Sequence, residues 1–170
     1  AGRGRRGRPW ESPHGNLAAS LLLVPDADPS ATATLGFVAG VALSDALAAL
    51  LPRGLVKVGI DGADGSAWGD RARIALKWPN DVIADGAKLA GILLEAQKRP
   101  DGRHAIAIGF GINVVAAPSG LPYPASSLAE LGVRLEAREV FEALSDCWVD
   151  AFALWRDGQG IAEVLARWRQ

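Results

Sequence analysis

Apolar and polar positions change rhythm several times along the chain. Leu17, Leu21, Leu22, Leu23 and Val24 form a short apolar run that stops at Pro25, which predicts a buried strand over 16–24 and a turn over 25–30. Leu35, Val38, Val41, Ala42, Leu47 and Leu51 then recur near helical spacing in an alanine-rich stretch closed by Pro52-Arg53-Gly54, which predicts a helix over 34–51. Weak alternation over 55–60 reads as strand, and the glycines and aspartates of 61–71 read as a loop. Strand-like runs follow at 73–78, 81–83, 88–96 and 104–113, separated by Pro79-Asn80, by Ala84-Asp85-Gly86 and by a Pro-Asp-Gly turn within 98–103. Helical spacing returns over 138–155, ended by Asp157-Gly158, and over 161–168. Residues 2–15 are rich in Gly, Arg and Pro without apolar periodicity, which predicts an exposed, mobile loop.

Strands joined mainly by hairpin-length turns, with one early helix and helices at the end, predict an α+β domain with a mixed β-sheet flanked by helices. A doubly wound dinucleotide fold is disfavoured. Its glycine-rich turn follows a strand and opens a helix, whereas Gly109-Phe110-Gly111-Ile112-Asn113 ends a strand and lacks the third glycine.

Length then limits the chain to one core, because 170 residues with 49% hydrophobic positions hardly build two. A formal net charge of −1 gives no overall field to gather nucleic acid or anionic membrane, so any basic function is local. Cys147 is the only cysteine, which excludes an internal disulfide and a cysteine-based zinc site and fits a reducing, cytoplasmic compartment. No run reaches the roughly 18 to 20 consecutive apolar residues of a membrane span, and the basic N-terminus lacks a signal peptide's apolar core. The chain has no methionine and opens in mid-motif at Ala1-Gly2-Arg3, which reads as a fragment of a longer domain.

Two stretches carry chemistry. Gly2-Arg3-Gly4-Arg5-Arg6-Gly7-Arg8 places four guanidiniums among glycines whose backbone N–H groups can approach a phosphate, and Trp10 follows with a flat face on which an adenine can stack. An RNA-binding arginine-glycine segment has the same composition, and the stretch by itself leaves both readings open. In Lys77-Trp78-Pro79-Asn80-Asp81 the proline is expected to turn Asn80 and Asp81 out of regular strand pairing and into a pocket. Lys88 opens the following apolar strand, so its ammonium can reach over the sheet while its stem packs, and Gly91 leaves room for a ligand against the backbone. The plain alternatives are a surface lysine, a turn Asn-Asp pair and a bulge glycine. A calcium loop within 61–72 is rejected because the EF-hand spacing fails and position 72 is Ala. His14 and His104 have no ligand spacing, no metal site is assigned, and Cys147 reads as a buried small hydrophobe.

The run 2–8, the box 77–81, the strand 88–93 and Gly109 to Val114 occur in this order in biotin protein ligases, a family that the chain resembles over nearly its whole length. The resemblance implies a seven-stranded mixed sheet with helices, similar to class II aminoacyl-tRNA synthetases and shared with lipoate ligases. It implies an ATP-dependent ligase that makes biotinyl-5'-AMP and passes biotin to a lysine of a biotin carboxyl carrier protein. ATP, magnesium and biotin are then substrates or activator, with no tightly bound cofactor. Arg3, Gly4, Arg5, Ser20, Lys88 and Gly91 are implied at the biotin, and Arg8, Trp10, Asn80, Gly111 and Asn113 at the adenylate. Lys88 and Arg5 are implied to stabilise reacting charge, and Asp81 to orient the incoming amine. Ala18 stands where the family carries an aromatic, which opens one wall of the pocket. The same comparison implies one catalytic domain over 1–170 without its opening segment and its C-terminal small barrel, a possible homodimer, no membrane partner and no DNA binding by this segment. Activity is expected of the complete domain rather than of the fragment. A lipoate or octanoyl ligase on the same fold, and a nucleic-acid-binding module through the Arg-Gly run, are the other two readings.

Overall fold

The computed structural model describes residues 2–4, 7, 9–52, 56–60, 74–77 and 80–169, with backbone alone for Pro9 and 56–60. Arg5, Arg8, Trp78, Pro79 and the loop 61–71 lie outside the described residues. The elements are β1 (Gly2–Arg3), β2 (Pro9–Trp10), β3 (Leu17–Leu23), α1 (Pro29–Thr32), α2 (Leu35–Leu50), β4 (Val56–Ile60), β5 (Ile74–Lys77), β6 (Asp81–Ala84), β7 (Ala87–Lys98), β8 (His104–Ile112), α3 (Ala137–Trp155) and α4 (Ile161–Trp168).

Six strands form one sheet in the order β3-β8-β7-β6-β5-β4. All neighbours run antiparallel except β4 and β5. The sheet is thus mixed, as expected, with six strands among the described residues where the resemblance implies seven. Residues 2–15 are not the structureless loop expected of them, because β1 and β2 pair through Gly2 with Trp10 and Arg3 with Pro9. The hairpin from β6 to β7 turns at Asp85 and Gly86, both at positive φ (49° and 79°), the backbone hand that matches the twist of two joined strands. Strand β7 continues to Lys98, past the expected end at 96, because its solvent-facing tail stays paired with β8 as far as His104.

Helix α2 is the core of the molecule. Leu35, Val38, Ala39, Ala42, Leu43, Ala46 and Leu47 are fully buried, and α2 packs between the sheet and α3. The segment Pro29–Leu50 reaches a mean hydropathy of 1.7, enough in length and composition to cross a membrane. This corrects the count of consecutive apolar residues, which Gly36, Gly40, Ser44 and Asp45 interrupt. The segment is two helices, α1 and α2, and α2 is buried within the protein. Helix α3 begins with a capping box in which Glu136 and Glu139 each hold the other's backbone N–H. Its aromatic side chains Trp148, Phe152 and Trp155 stack in sequence, and Trp148 meets Phe110 of β8 edge-on. Cys147 is half-buried on this helix, where burial first, and then Asp45, Asp150 and Asp146, push its thiol up from the ordinary value. The helices cover one face of the sheet, and the opposite face is left for the site.

Candidate functional site

On the open face a row of paired residues crosses five strands. Ala18 pairs with Gly111, Gly111 with Gly91, Gly91 with Asp81, and Asp81 with Lys77. Two positions along, Ser20 pairs with Gly109 and Gly109 with Leu93. Side chains alternate between faces along a strand, so these rows share one face. Ala, Gly and Ser at five of these positions make a nearly bare floor, and larger residues rim it. The floor lies under a cavity of about 660 Å³, a usual size for a small-molecule site.

Lys88 reaches this face through a β-bulge. Val82 pairs with Ala90 but Ile83 pairs with Lys88, so Leu89 is an extra residue on β7. Strict alternation would put positions 88 and 91 on opposite faces. The inserted residue restores them to one face, and Leu89 and Ala90 are both fully buried. Three backbone groups at the bulge find partners beyond β6. The Lys88 N–H donates to Pro124 O at 2.9 Å, Ser126 N–H donates to Lys88 O at 2.9 Å, and Asn113 N–H donates to Leu89 O at 3.0 Å. The Lys88 ammonium ends 2.7 Å from Asp81 Oδ1.

Asp81 is not turned out of the ladder as expected. It is paired within β6 on both sides, and its carboxylate reaches the cavity simply because its strand position faces that way. Asn80 alone lies at the turn, where its O accepts from Ile92 N–H at 2.7 Å and its side-chain amide donates to Ile92 O at 3.0 Å. The β1–β2 ribbon brings Arg3 and Trp10 together at the cavity. The Trp10 indole, expected as a face for an adenine, lies on the glycine floor. A Cβ added to Gly111 would sit 2.3 Å from its Cε2, and one added to Gly91 would sit 3.1 Å from its Cζ3. The Lys88 ammonium lies 5.4 Å from the Trp10 ring centroid, within the range of a cation–π contact.

Arg3, Gly4, Trp10, Ser20, Asn80, Asp81, Lys88, Gly91 and Gly111 all line this one cavity. Asn113 does not. It is buried behind the bulge, donating from its side chain to Ser126 O at 2.9 Å and to Lys88 O at 3.4 Å, while its Oδ1 has no hydrogen-bond partner. Sequence reasoning missed Lys77, Tyr123 and Pro124, which also line the cavity. Lys77 was readable from its place in the motif, but nothing local marks Tyr123 or Pro124. Among the described lining residues Arg3, Lys77 and Lys88 are cationic and Asp81 alone is anionic, so the cavity favours an anion. A positively framed pocket whose glycine floor carries the flat Trp10 ring suits a ligand that carries phosphate.

The chain is similar to known proteins over most of its length. The model of the biotin/lipoate A/B protein ligase family matches residues 1–113. The biotin–[acetyl-CoA-carboxylase] ligase of Paracoccus denitrificans is 40% identical over 177 aligned residues, covering 99% of this chain and 65% of that protein. The bifunctional ligase/repressor of Escherichia coli (strain K12) is 32% identical, covering 100% of this chain and 48% of that protein. The chain therefore spans about two thirds of the first relative's length and about half of the second's. Among solved structures, the biotin protein ligase of Aquifex aeolicus in complex with biotin and ATP superimposes with a TM-score of 0.73 at 27% identity, covering 98% of this chain and 62% of that one.

Proposed function

The chain belongs to the biotin/lipoate A/B protein ligase family, and from that premise we propose that it supplies the site at which biotin is activated by ATP and passed to a carrier protein's lysine. The observation that carries this reading is the placement of Lys88, a bulge-delivered cation beside the Trp10 indole and its glycine floor in an anion-favouring cavity. Its similarity to biotin ligases supports biotin over lipoate as the acyl group.

In the first step a biotin carboxylate oxygen bonds to the α-phosphorus of ATP, and the bond to pyrophosphate breaks with its electron pair. Negative charge gathers on the phosphoryl oxygens, and Lys88, Lys77 and Arg3 are the described cations placed to balance it. Arg5 and Arg8 join them in this proposal on sequence grounds. Among the described residues no three His, Cys, Asp or Glu side chains cluster around a metal position. Magnesium therefore belongs to the proposal as the companion of ATP.

In the second step the lysine amine of a biotin carboxyl carrier protein attacks the acyl carbon, AMP leaves, and the amine nitrogen loses a proton. Lys88 stays beside the anhydride, and Asp81, which holds Lys88 at 2.7 Å, is the described carboxylate able to orient the amine. Ser20, Gly91 and Gly4 are assigned to the biotin, and Trp10, Asn80, Gly111 and Asn113 to the adenylate. Asn113 serves the adenylate at one remove, because its side chain lies behind the bulge and donates to the Lys88 and Ser126 carbonyls rather than lining the cavity. A cytoplasmic location goes with this reading.

Incubating the full-length protein with radiolabelled biotin, ATP and a carrier protein is expected to label the carrier. Label from lipoate and none from biotin would overturn the choice of acyl group. Lys88→Ala should slow formation of the acyl-adenylate by roughly 100-fold, the usual size of losing one charge-stabilising donor, and adenylate formation near the unaltered rate would show that the charge is balanced elsewhere.

A further inference from the structure

Among the described residues the Lys88 ammonium is bounded by three groups. Asp81 Oδ1 lies at 2.7 Å, the Trp10 ring centroid at 5.4 Å and the Tyr123 ring centroid at 5.7 Å. Trp10 arrives with the β1–β2 ribbon. Tyr123 arrives with a stretch that has no regular structure before the short parallel bridge of Lys88 with Ala125.

That stretch is held by the backbone of Lys88 itself. Pro124 O accepts from the Lys88 N–H and Ser126 N–H donates to the Lys88 O, while the Asn113 side chain donates to Ser126 O. Tyr123 directly precedes the first of these anchors. Whatever places Lys88 thus places Tyr123, and the bulge, the loop and the ring form one unit. Tyr123 is also 39% exposed, more than a ring kept for packing needs to be.

We infer that Tyr123 is a positioning residue for Lys88, an aromatic wall that together with Asp81 and Trp10 holds the ammonium at the reacting phosphate. A lysine stem has many rotamers, and an ammonium on a flexible stem stabilises a transition state only while it is held in place. Two ring faces attract the cation without neutralising it, so its charge stays available to the ligand. The role requires the ring and not the phenol hydroxyl.

This inference rests on the proposed adenylation, and its test separates the two. Tyr123→Leu is expected to lower kcat for acyl-adenylate formation about tenfold, the scale of one partly exposed cation–π contact, with a smaller change in KM for the acid. Tyr123→Phe should recover most of the rate. In a Lys88→Ala background Tyr123→Leu should cause little further loss, because the wall then has nothing to hold. Equal rates for Tyr123→Leu and the unaltered protein, failure of Tyr123→Phe to recover activity, or full additivity with Lys88→Ala would each overturn the inference.

If no adenylate forms with any acid, the functional reading fails while the positioning claim keeps its own readout. The ε-methylene protons of Lys88, observed by NMR in the whole protein, should be shifted upfield by the rings. Tyr123→Leu should move them toward the free-lysine position and Tyr123→Phe should not, whereas shifts unmoved by Tyr123→Leu would refute the contact.

Discussion

Gly91 and Gly111 face one another across β7 and β8, and the Trp10 indole rests on both. A methyl group on Gly111 would overlap the indole at 2.3 Å, so Gly111→Ala must lift Trp10 from the floor. A methyl on Gly109 would meet only Leu93, at the ordinary distance of 3.8 Å. Gly111→Ala is therefore expected to shift the near-ultraviolet circular dichroism of the tryptophans and to weaken ATP binding roughly tenfold by calorimetry, the scale of one lost aromatic contact. Gly109→Ala should leave the tryptophan signal in place, and equal spectra for the two variants would show that Trp10 does not rest where described. The candidate residues Lys88, Asp81, Gly91 and Gly111 were legible as parts of motifs that carry a family resemblance, and all four line the cavity. What was not legible was how they meet. Alternation alone sends Lys88 and Gly91 to opposite faces, and nothing in the residues 88–91 announces the bulge at Leu89 that reunites them.

Elements were read well where their patterns are long. Helix α4 has the expected bounds, and α2 and α3 start and end within a residue or so of them. Short elements were missed: α1 was read as a turn, and the two-residue strands of the Arg-Gly stretch as loop, because so few residues carry no period. The joins between elements were hidden as well. Asn16, just before β3, accepts from the backbone N–H groups of Val114, Val115 and Ala116 through its Oδ1, tying the chain beyond β8 to the sheet edge. At the other side of the core, the Trp155 Nε1–H of α3 donates to Thr34 Oγ1 at 2.8 Å, at the entrance to α2. Trp155 is fully buried. Trp155→Phe should cost about 1–3 kcal/mol for the lost hydrogen bond and the space left behind. Thr34→Val should cost about 1 kcal/mol, and urea unfolding should show the double variant less destabilised than the sum. Full additivity would mean that the bond contributes nothing.

Over the whole molecule, burial and charge set how stability follows pH. Asp45 of α2 lies 2.6 Å from Arg167 of α4, yet burial, the largest influence, raises its carboxyl above the ordinary value against the pull of Arg167, with Asp150 adding to the rise. A carboxyl that binds its proton more tightly when folded favours the folded state at low pH, and that contribution is lost as pH rises through the folded value. Asp101 acts in the opposite sense. Its hydrogen bonds from Arg103 hold its carboxyl below the ordinary range, so its contribution is present at neutral pH and lost as pH falls through the folded value. Asp45→Asn is therefore expected to leave the neutral-pH Tm unchanged or raise it, because the neutral amide avoids the burial penalty and the Arg167 side chain, 41% exposed, keeps its water. Melting curves from pH 4 to 8 check this, and a drop of several degrees at pH 7 would show the ion pair to be net stabilising.

The sequence by itself determined the α+β class, the long helices and the hairpin turns. These follow from periodicity and turn chemistry, which act over a few neighbouring positions, and the candidate site residues follow from the family resemblance of the motifs. Only the tertiary structure decided that Ala18, Gly111, Gly91, Asp81 and Lys77 form one row across five strands, that Leu89 is the inserted residue, and that Tyr123 stands beside Lys88. Those depend on register between distant strands and on unpaired backbone groups finding partners far along the chain. The motifs name the participants, but hydrogen bonding between segments dozens of residues apart sets their distances.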